Sequence, residues 1–451
     1  MPITTRLAPN YQPIYGERQR SNTPLWPSFS IGLLLVMSAL FPPLYLTVMN
    51  STLIALALAV AVASGTRLGG ELNLIVLPFV VMLLCGAVMG IGIDRYLYFK
   101  DAWYIVNPAI VMLVGYVFAR LGASLESGLR AFIYAGFVLS FWQLRAFAYD
   151  PSLLFLPAEA IRRAVGFGHF APIMALMILF AYFGRWRSGL GLPVWLCSVV
   201  LVVCGMAAVG TFSRTQFFCL FIGLVAAFGG FARRELLRVG LPIAAMIGFL
   251  LVLQLYIDTD SDRAVQTFFG KLARTGQELL ISDYNAARDI NLSYRGFETA
   301  VVLKGYAAGS TLQILLGHGL GFLVDLGVYL PLDINEAGGR SNVRFISVLH
   351  NGYLFLLMKT GLIAVIAYAA FLFGVYLKGR RYAGSGRDTK LQAPARILQA
   401  AIVTLASTTY VTSGAFNKSD MFPVMMIMGF LLYFIANAQQ PTRTADAANS
   451  P

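Results

Sequence analysis

The chain has 451 residues, 58% of them hydrophobic and 12% charged, with a formal net charge of +13 and a mean hydropathy of +0.71. This composition excludes an ordinary soluble domain. Uncharged apolar runs near the length that crosses about 30 Å of hydrocarbon recur along it. The positive charge reads as membrane topology and not as a footprint for nucleic acid, so membrane lipids are the expected surroundings and no nucleic acid is expected as a partner.

A polar tail, 1–25, precedes an uncharged stretch from Trp26 to Ser64 that is long enough for two crossings, with the turn near Pro42-Pro43 or Asn50-Ser51. No convincing small-residue site follows the first apolar run, so a cleaved signal peptide is not expected. Further spans read as Leu72 to Ile93, Ala102 to Ala119, Ala131 to Tyr149, Phe170 to Gly184, Leu192 to Phe212, Gln216 to Phe231 and Val239 to Ile257. A long polar stretch, 258–360, then separates these nine crossings, within 26–257, from three more within 361–436: Gly361 to Leu377, Ile397 to Phe416 and Phe422 to Ala436. A second tail, 437–451, closes the chain. The expectation is an all-α polytopic membrane protein of about twelve transmembrane helices with one large outer loop.

Lysine and arginine in short loops stay on the cytoplasmic side. With the N-terminus inside, the inner segments hold Arg6, Arg18, Arg20, Arg67, Arg120, Arg130, Arg185, Arg187, Arg233, Arg234, Arg238, Lys378, Arg380, Arg381, Arg387, Lys390, Arg396 and Arg443. The short outer loops hold only Arg95, Lys100, Arg162, Arg163, Arg214 and Lys418. This asymmetry places both tails inside and the 258–360 loop outside.

The outer face then gathers a distinctive set. The chain has three histidines, and one of them, His350, stands at the end of the long loop in Leu349-His350-Asn351-Gly352-Tyr353. Arg214 sits between two spans with almost no loop around it, where an arginine marks a site, a buried ion pair or a side chain snorkelling to the headgroups. Arg162, Arg163, Arg295 and Arg344 share the face. Cys85, Cys197, Cys204 and Cys219 all fall inside spans, and no Cys or His pair has metal-ligand spacing, so neither a disulfide framework nor a metal or other cofactor is expected. Gly317-His318-Gly319-Leu320-Gly321 reads as a glycine-rich turn, because no βαβ unit surrounds it. Asp258, Asp260 and Asp262 read as a solvated exit from the membrane, with cation binding as the alternative.

Several arginines can hold a pyrophosphate with their planar forks. A neutral histidine can take the proton of a hydroxyl as that oxygen attacks an electrophilic carbon. The pair suits glycosyl transfer from a lipid pyrophosphate. At these residues the chain resembles the bacterial O-antigen ligases and their relatives among O-antigen and exopolysaccharide polymerases. The resemblance rests on Gly210-Thr211-Phe212-Ser213-Arg214-Thr215, Tyr294-Arg295-Gly296-Phe297, Leu316-Gly317-His318-Gly319-Leu320-Gly321, Leu349-His350-Asn351-Gly352-Tyr353-Leu354 and Lys359-Thr360-Gly361-Leu362. Together these cover roughly 200–377.

The resemblance implies a GT-C-like membrane glycosyltransferase of the bacterial inner membrane, inverting and metal-independent, that acts on the periplasmic face in lipopolysaccharide or exopolysaccharide biosynthesis. The donor would be a glycan on undecaprenyl diphosphate, and the acceptor lipid A core or another lipid-linked glycan. It implies His350 as base with Asn351 beside it, orienting the ring or capping the next helix, and Arg214 and Arg295 on the pyrophosphate, with Arg162 and Arg163 as further candidates. Many relatives carry a tryptophan a few residues past the loop arginine, where this chain has Phe297 and Glu298. Two alternatives stand beside this reading. One is a polysaccharide or lipid-linked oligosaccharide transporter or flippase, expected to show two similar halves and mid-membrane charges. The other is a metal-dependent lipid-phosphosugar transferase, expected to carry carboxylates in the first outer turn, which has none between Pro42 and Thr52.

Overall fold

The computed structural model describes residues 25–40, 72–155, 158–166, 170–211, 213–228, 290, 293–333, 340–383, 389–416 and 420–438. Its elements run α1 Trp26–Leu40, α2 Leu72–Met89, α3 Arg95–Arg120, α4 Leu125–Tyr149, α5 Ala158–Val165, α6 Phe170–Ala181, α7 Trp186–Gly189, α8 Val194–Gly210 and α9 Arg214–Ala227. They continue with α10 Tyr294–Ala307, α11 Thr311–Leu316, strands β1 Val324–Asp333 and β2 Arg340–Ile346, α12 Gly352–Ala383, α13 Thr389–Thr412 and α14 Phe422–Asn437. The protein is an all-α membrane protein, with one small antiparallel strand pair among the described residues. Among the described residues α2, α3, α4 and α12 are each long and apolar enough to cross a bilayer, and α1, α6, α8, α9 and α14 are shorter apolar helices. The second crossing expected before Ser64, the span Val239 to Ile257 and the acidic run Asp258, Asp260 and Asp262 lie outside the described residues.

Small residues let these helices approach. Gly115 of α3 lies against the Met426 carbonyl of α14, and Gly429 of α14 against that of Met112. Where lipid replaces water, such close backbone contact supplies the van der Waals attraction that hydrophobicity cannot. The contacts also fix directions. Gly86 meets Thr360 while Gly374 meets Leu74, so α2 and α12 are antiparallel. Gly352 meets Ser413 and Gly379 meets Gln399, so α12 and α13 are antiparallel as well. Gly223 of α9 lies against Met177 of α6, and Phe228 packs on Phe180, so these two run the same way.

Following the chain through these contacts and its turns, Met89, Arg95, Tyr149, Gly210, Arg214, Gly352, Thr412 and Phe422 all lie at one end of the bundle. Arg120, Arg130, Arg185, Arg187, Lys378, Arg380, Arg381, Lys390 and Arg396 lie toward the other. Exposed Tyr96 and Tyr149 lie at the first end, and exposed Trp26 and Trp195 at the second, the placement amphipathic rings take at the two faces of a bilayer.

Two expectations change. The helix expected from Gly361 starts at Gly352 and is broken at Gly361, where φ is 75°. Residues 352–360, expected as the end of the loop, are thus a short helical segment of about two and a half turns set into the bundle, with Phe355, Leu356, Met358, Lys359 and Thr360 buried. The span expected from Ala102 begins earlier, at Arg95, so α3 carries Asp101 inside, fully buried. Arg145 is exposed on α4, its guanidinium over the Trp142 ring and its Nε donating to the Trp142 carbonyl.

Candidate functional site

The site is built from the two ends of the long loop. Asn351 opens α12: its Oδ1 accepts from the backbone N–H groups of Tyr353 (3.0 Å) and Leu354 (3.2 Å), satisfying two donors that a helix start leaves without partners. The carboxamide is therefore the cap of the helix, and its oxygen is not turned toward the His350 ring. Of the two roles expected for Asn351, orienting the ring or capping the next helix, this geometry is the cap.

His350, just before the cap, is held on both sides through its backbone. Its N–H donates to Glu298 Oε2 at 3.0 Å. Its carbonyl accepts from Ser413 N at 2.5 Å, and the Ser413 hydroxyl donates to the carbonyl of Leu349. Ser413 reaches both carbonyls from a left-handed backbone conformation, φ 63°, which a non-glycine residue adopts only at a cost. The ring itself stands clear: its side chain is 51% exposed, while that of Glu298 is 1% exposed. Nδ1 lies 3.5 Å from the Glu298 carboxylate, and the Tyr294 ring meets the imidazole edge-on at 5.4 Å between centroids. Burial and the nearby Glu298 charge both push the Tyr294 hydroxyl above its ordinary range, so it stays protonated.

Tyr294, Arg295 and Glu298 belong to the first turn and a half of α10, so one short helix carries the loop arginine beside the groups that touch His350. Arg295 is half-buried and engaged with neighbouring groups. Arg214 opens α9 at the same end of the bundle. Nine residues separate it from Gly223, which faces Thr404, and eight separate Thr404 from Thr412. At about 1.5 Å per residue, the start of α9 comes level with Thr412 and Ser413, the residue that holds His350. Arg162 and Arg163 lie on the short helix α5, whose Ile161 and Val165 are buried and which packs against α4. The bundle thus brings His350, Arg295 and Arg214 to one end, with α5 at that end too.

The glycine-rich turn is accounted for structurally. His318 N donates to Met358 O (2.7 Å), Gly319 N to Lys359 O (3.1 Å) and Leu320 N to Gly86 O (2.9 Å). The break at Gly361 strips the carbonyls ahead of it of their helical partners, and the turn supplies new ones. A Cβ at Gly319 would sit 2.5 Å from the Met89 carbonyl oxygen, so only glycine fits. The turn is a plug between α2, α3 and α12.

Glu298, Ser413 and Asp101 were missed as site or scaffold residues. Glu298 carried a signal, since it is the one carboxylate in α10 and lies three residues beyond the arginine, on a neighbouring position of the helix surface. No protein-family model matches this chain, and no curated protein does.

Proposed function

We propose that this protein is a membrane glycosyltransferase of the O-antigen ligase and polysaccharide polymerase type. It moves a glycan from undecaprenyl diphosphate to an acceptor hydroxyl, on lipid A core or on another lipid-linked glycan, at the periplasmic face of the bacterial inner membrane. The observation that carries the reading is the exposed His350 imidazole, fixed by its backbone between Glu298 and Ser413, with Arg295 on the helix that touches it and Arg214 at the same end of the bundle.

In this reading the acceptor hydroxyl gives its proton to the imidazole as its oxygen attacks the anomeric carbon. The new glycosidic C–O bond forms while the bond from that carbon to the pyrophosphate oxygen breaks. The electron pair leaves on the diphosphate, whose charge Arg214 and Arg295 meet, with Arg162 and Arg163 as further candidates. Direct displacement inverts the anomeric centre and calls for no metal. The basic residues gathered at the opposite end support a cytoplasmic placement for that end.

The test is transfer by purified protein from a synthetic lipid-diphosphate donor. His350→Ala is expected to lose about 10²–10⁴-fold in rate while still binding donor. Retention of configuration, or inactivation by a chelator reversed by magnesium, would count against the reading. So would a cysteine at position 307 that resists a membrane-impermeant label in cells, since His350 would then face the cytoplasm.

One observation favours transport as the second reading: Asp101 and Lys359 form a buried ion pair beside a broken helix, the surroundings of many transporter sites. The pair sits toward the His350 end, with its charges taken up by the glycine-rich turn. That placement suits a clamp better than a binding site in mid-membrane.

A further inference from the structure

Glu298 differs from the other charged groups near His350 in being both buried and directed at the ring. Its carboxylate is 1% exposed, receives the His350 backbone N–H through both oxygens at 3.0 and 3.3 Å, and lies 3.5 Å from Nδ1. A carboxylate can only accept. The N–H of residue 350 occupies it from one side, and the ring nitrogen that faces it must bring a hydrogen for the contact to be favourable. Rotating the ring by half a turn would put carbon where Nδ1 now stands and leave the carboxylate with one donor fewer in a dry place, which is costly. The Tyr294 ring, edge-on at 5.4 Å, narrows the space for such a rotation.

We infer that Glu298 is a positioning residue that holds the His350 imidazole with Nδ1 protonated, so that Nε2 is the atom that receives the acceptor's proton. This rests on the glycosyl-transfer reading for its consequence, though not for the tautomer itself. Nδ1 is turned to a buried group that no substrate can reach, while the rest of the ring is open. The reacting hydroxyl must therefore approach the Nε2 edge. When Nε2 takes the proton the ring gains a positive charge, and the carboxylate behind it offsets that charge, the division of labour of a carboxylate–histidine pair in acyl-transfer enzymes. Glu298 touches neither donor nor acceptor and acts through His350. The same residue ties the loop arginine to the base. Arg295 and Glu298 are three apart on one helix, so any movement of α10 shifts the pyrophosphate partner and the base together.

The test uses the full chain in detergent or lipid, labelled with nitrogen-15 at histidine. With three histidines in the sequence, the His350 signals are identified by their absence from His350→Gln. In mildly alkaline buffer the wild type is expected to show a protonated Nδ1 and an unprotonated Nε2 at His350, and Glu298→Gln a loss of that preference. A wild-type His350 protonated at Nε2 would overturn the inference, and that result does not depend on the variant folding. In the transfer assay Glu298→Gln is expected to lower kcat by about 10²-fold with KM for the donor unchanged. A rise in KM alone would show that Glu298 merely supports donor binding and would also overturn it. If the tautomer is as expected but no lipid-diphosphate donor is ever consumed, the glycosyl-transfer reading fails while the positioning of the ring by Glu298 stands.

Discussion

Lys359 and Asp101 meet at 2.6 Å, Nζ to Oδ2, with both side chains entirely buried. They come from the half-helix that follows His350 and from the first turns of α3, 258 residues apart in the sequence. Asp101 Oδ2 also accepts from Gly321 N at 2.7 Å, and Lys359 donates to the Phe322 carbonyl. The pair therefore fastens the glycine-rich turn to the break in α12. Removing one partner from a buried pair strands the other charge, at a cost of about 3–5 kcal/mol. Asp101→Asn and Lys359→Met are each expected to lower the unfolding midpoint in detergent strongly. The double variant is expected to recover part of that loss, and additive losses would show that the two residues are not coupled.

A second prediction separates backbone strain from docking. Gly361 and Gly92 both have positive φ, 75° and 95°. A methyl at Gly92 meets nothing within 4 Å, whereas at Gly361 it would collide with the Leu315 carbonyl. Gly92→Ala should cost only the conformational penalty, about 1–2 kcal/mol. Gly361→Ala should cost distinctly more and displace the turn. Equal losses, measured by thermal unfolding, would mean that the turn does not depend on the break.

What the sequence made legible follows from what each residue signals locally. The apolar runs of α2, α3, α4 and α12 show because lipid demands length and hydropathy of every crossing. Arg214, Arg295 and His350 show because a charge or an imidazole stands out against such a background. The break at Gly361 does not show, because Lys359-Thr360-Gly361 reads as the polar edge of a span, and only a partner for Lys359 makes burial possible. That partner, Asp101, looked like a loop residue for the same reason. Glu298 and Ser413 act on His350 across 52 and 63 positions of sequence, and pairing of that kind leaves no periodicity to read.

Ser413 provides a third prediction, in which two small substitutions should rank in an unusual order. Its left-handed backbone is strained for serine and natural for glycine. Its hydroxyl serves the buried Leu349 carbonyl. Ser413→Ala keeps the strain and loses the hydrogen bond, costing about 1–3 kcal/mol for the acceptor left without it. Ser413→Gly loses the same bond but relieves the strain, so it should be the milder change. Alanine proving milder than glycine would show that the left-handed backbone at Ser413 stores no strain for glycine to relieve.

Asn351 supports a fourth. As an N-cap it should be replaceable by Asp or Ser, which accept from the same backbone donors, while Ala costs about 1 kcal/mol. Transfer by Asn351→Ser should stay close to wild type and that by Asn351→Ala should fall only modestly. A loss in Asn351→Ser as deep as that in His350→Ala would give Asn351 a part in the chemistry beyond the cap.

The last prediction concerns His318 and pH. Its ring stacks on Phe322 at 4.6 Å between centroids, and its Nε2 is buried without a hydrogen-bond partner among the described residues. Burial pushes the imidazole below its ordinary value of 6.5, because the packed turn disfavours the charged form. The unfolded chain then binds a proton that the folded chain resists, and stability must fall as pH drops. The contribution of the neutral ring is fully present above about 6.5. It declines as the pH falls below that value and is lost once the pH passes the lowered folded value. His318→Phe keeps the stacking and cannot titrate, so its unfolding midpoint should vary less over this range than that of the wild type. The two curves should approach each other toward neutral pH and separate in acid. Curves that stay parallel from neutral into acid would show that His318 is not a source of the acid sensitivity of the turn.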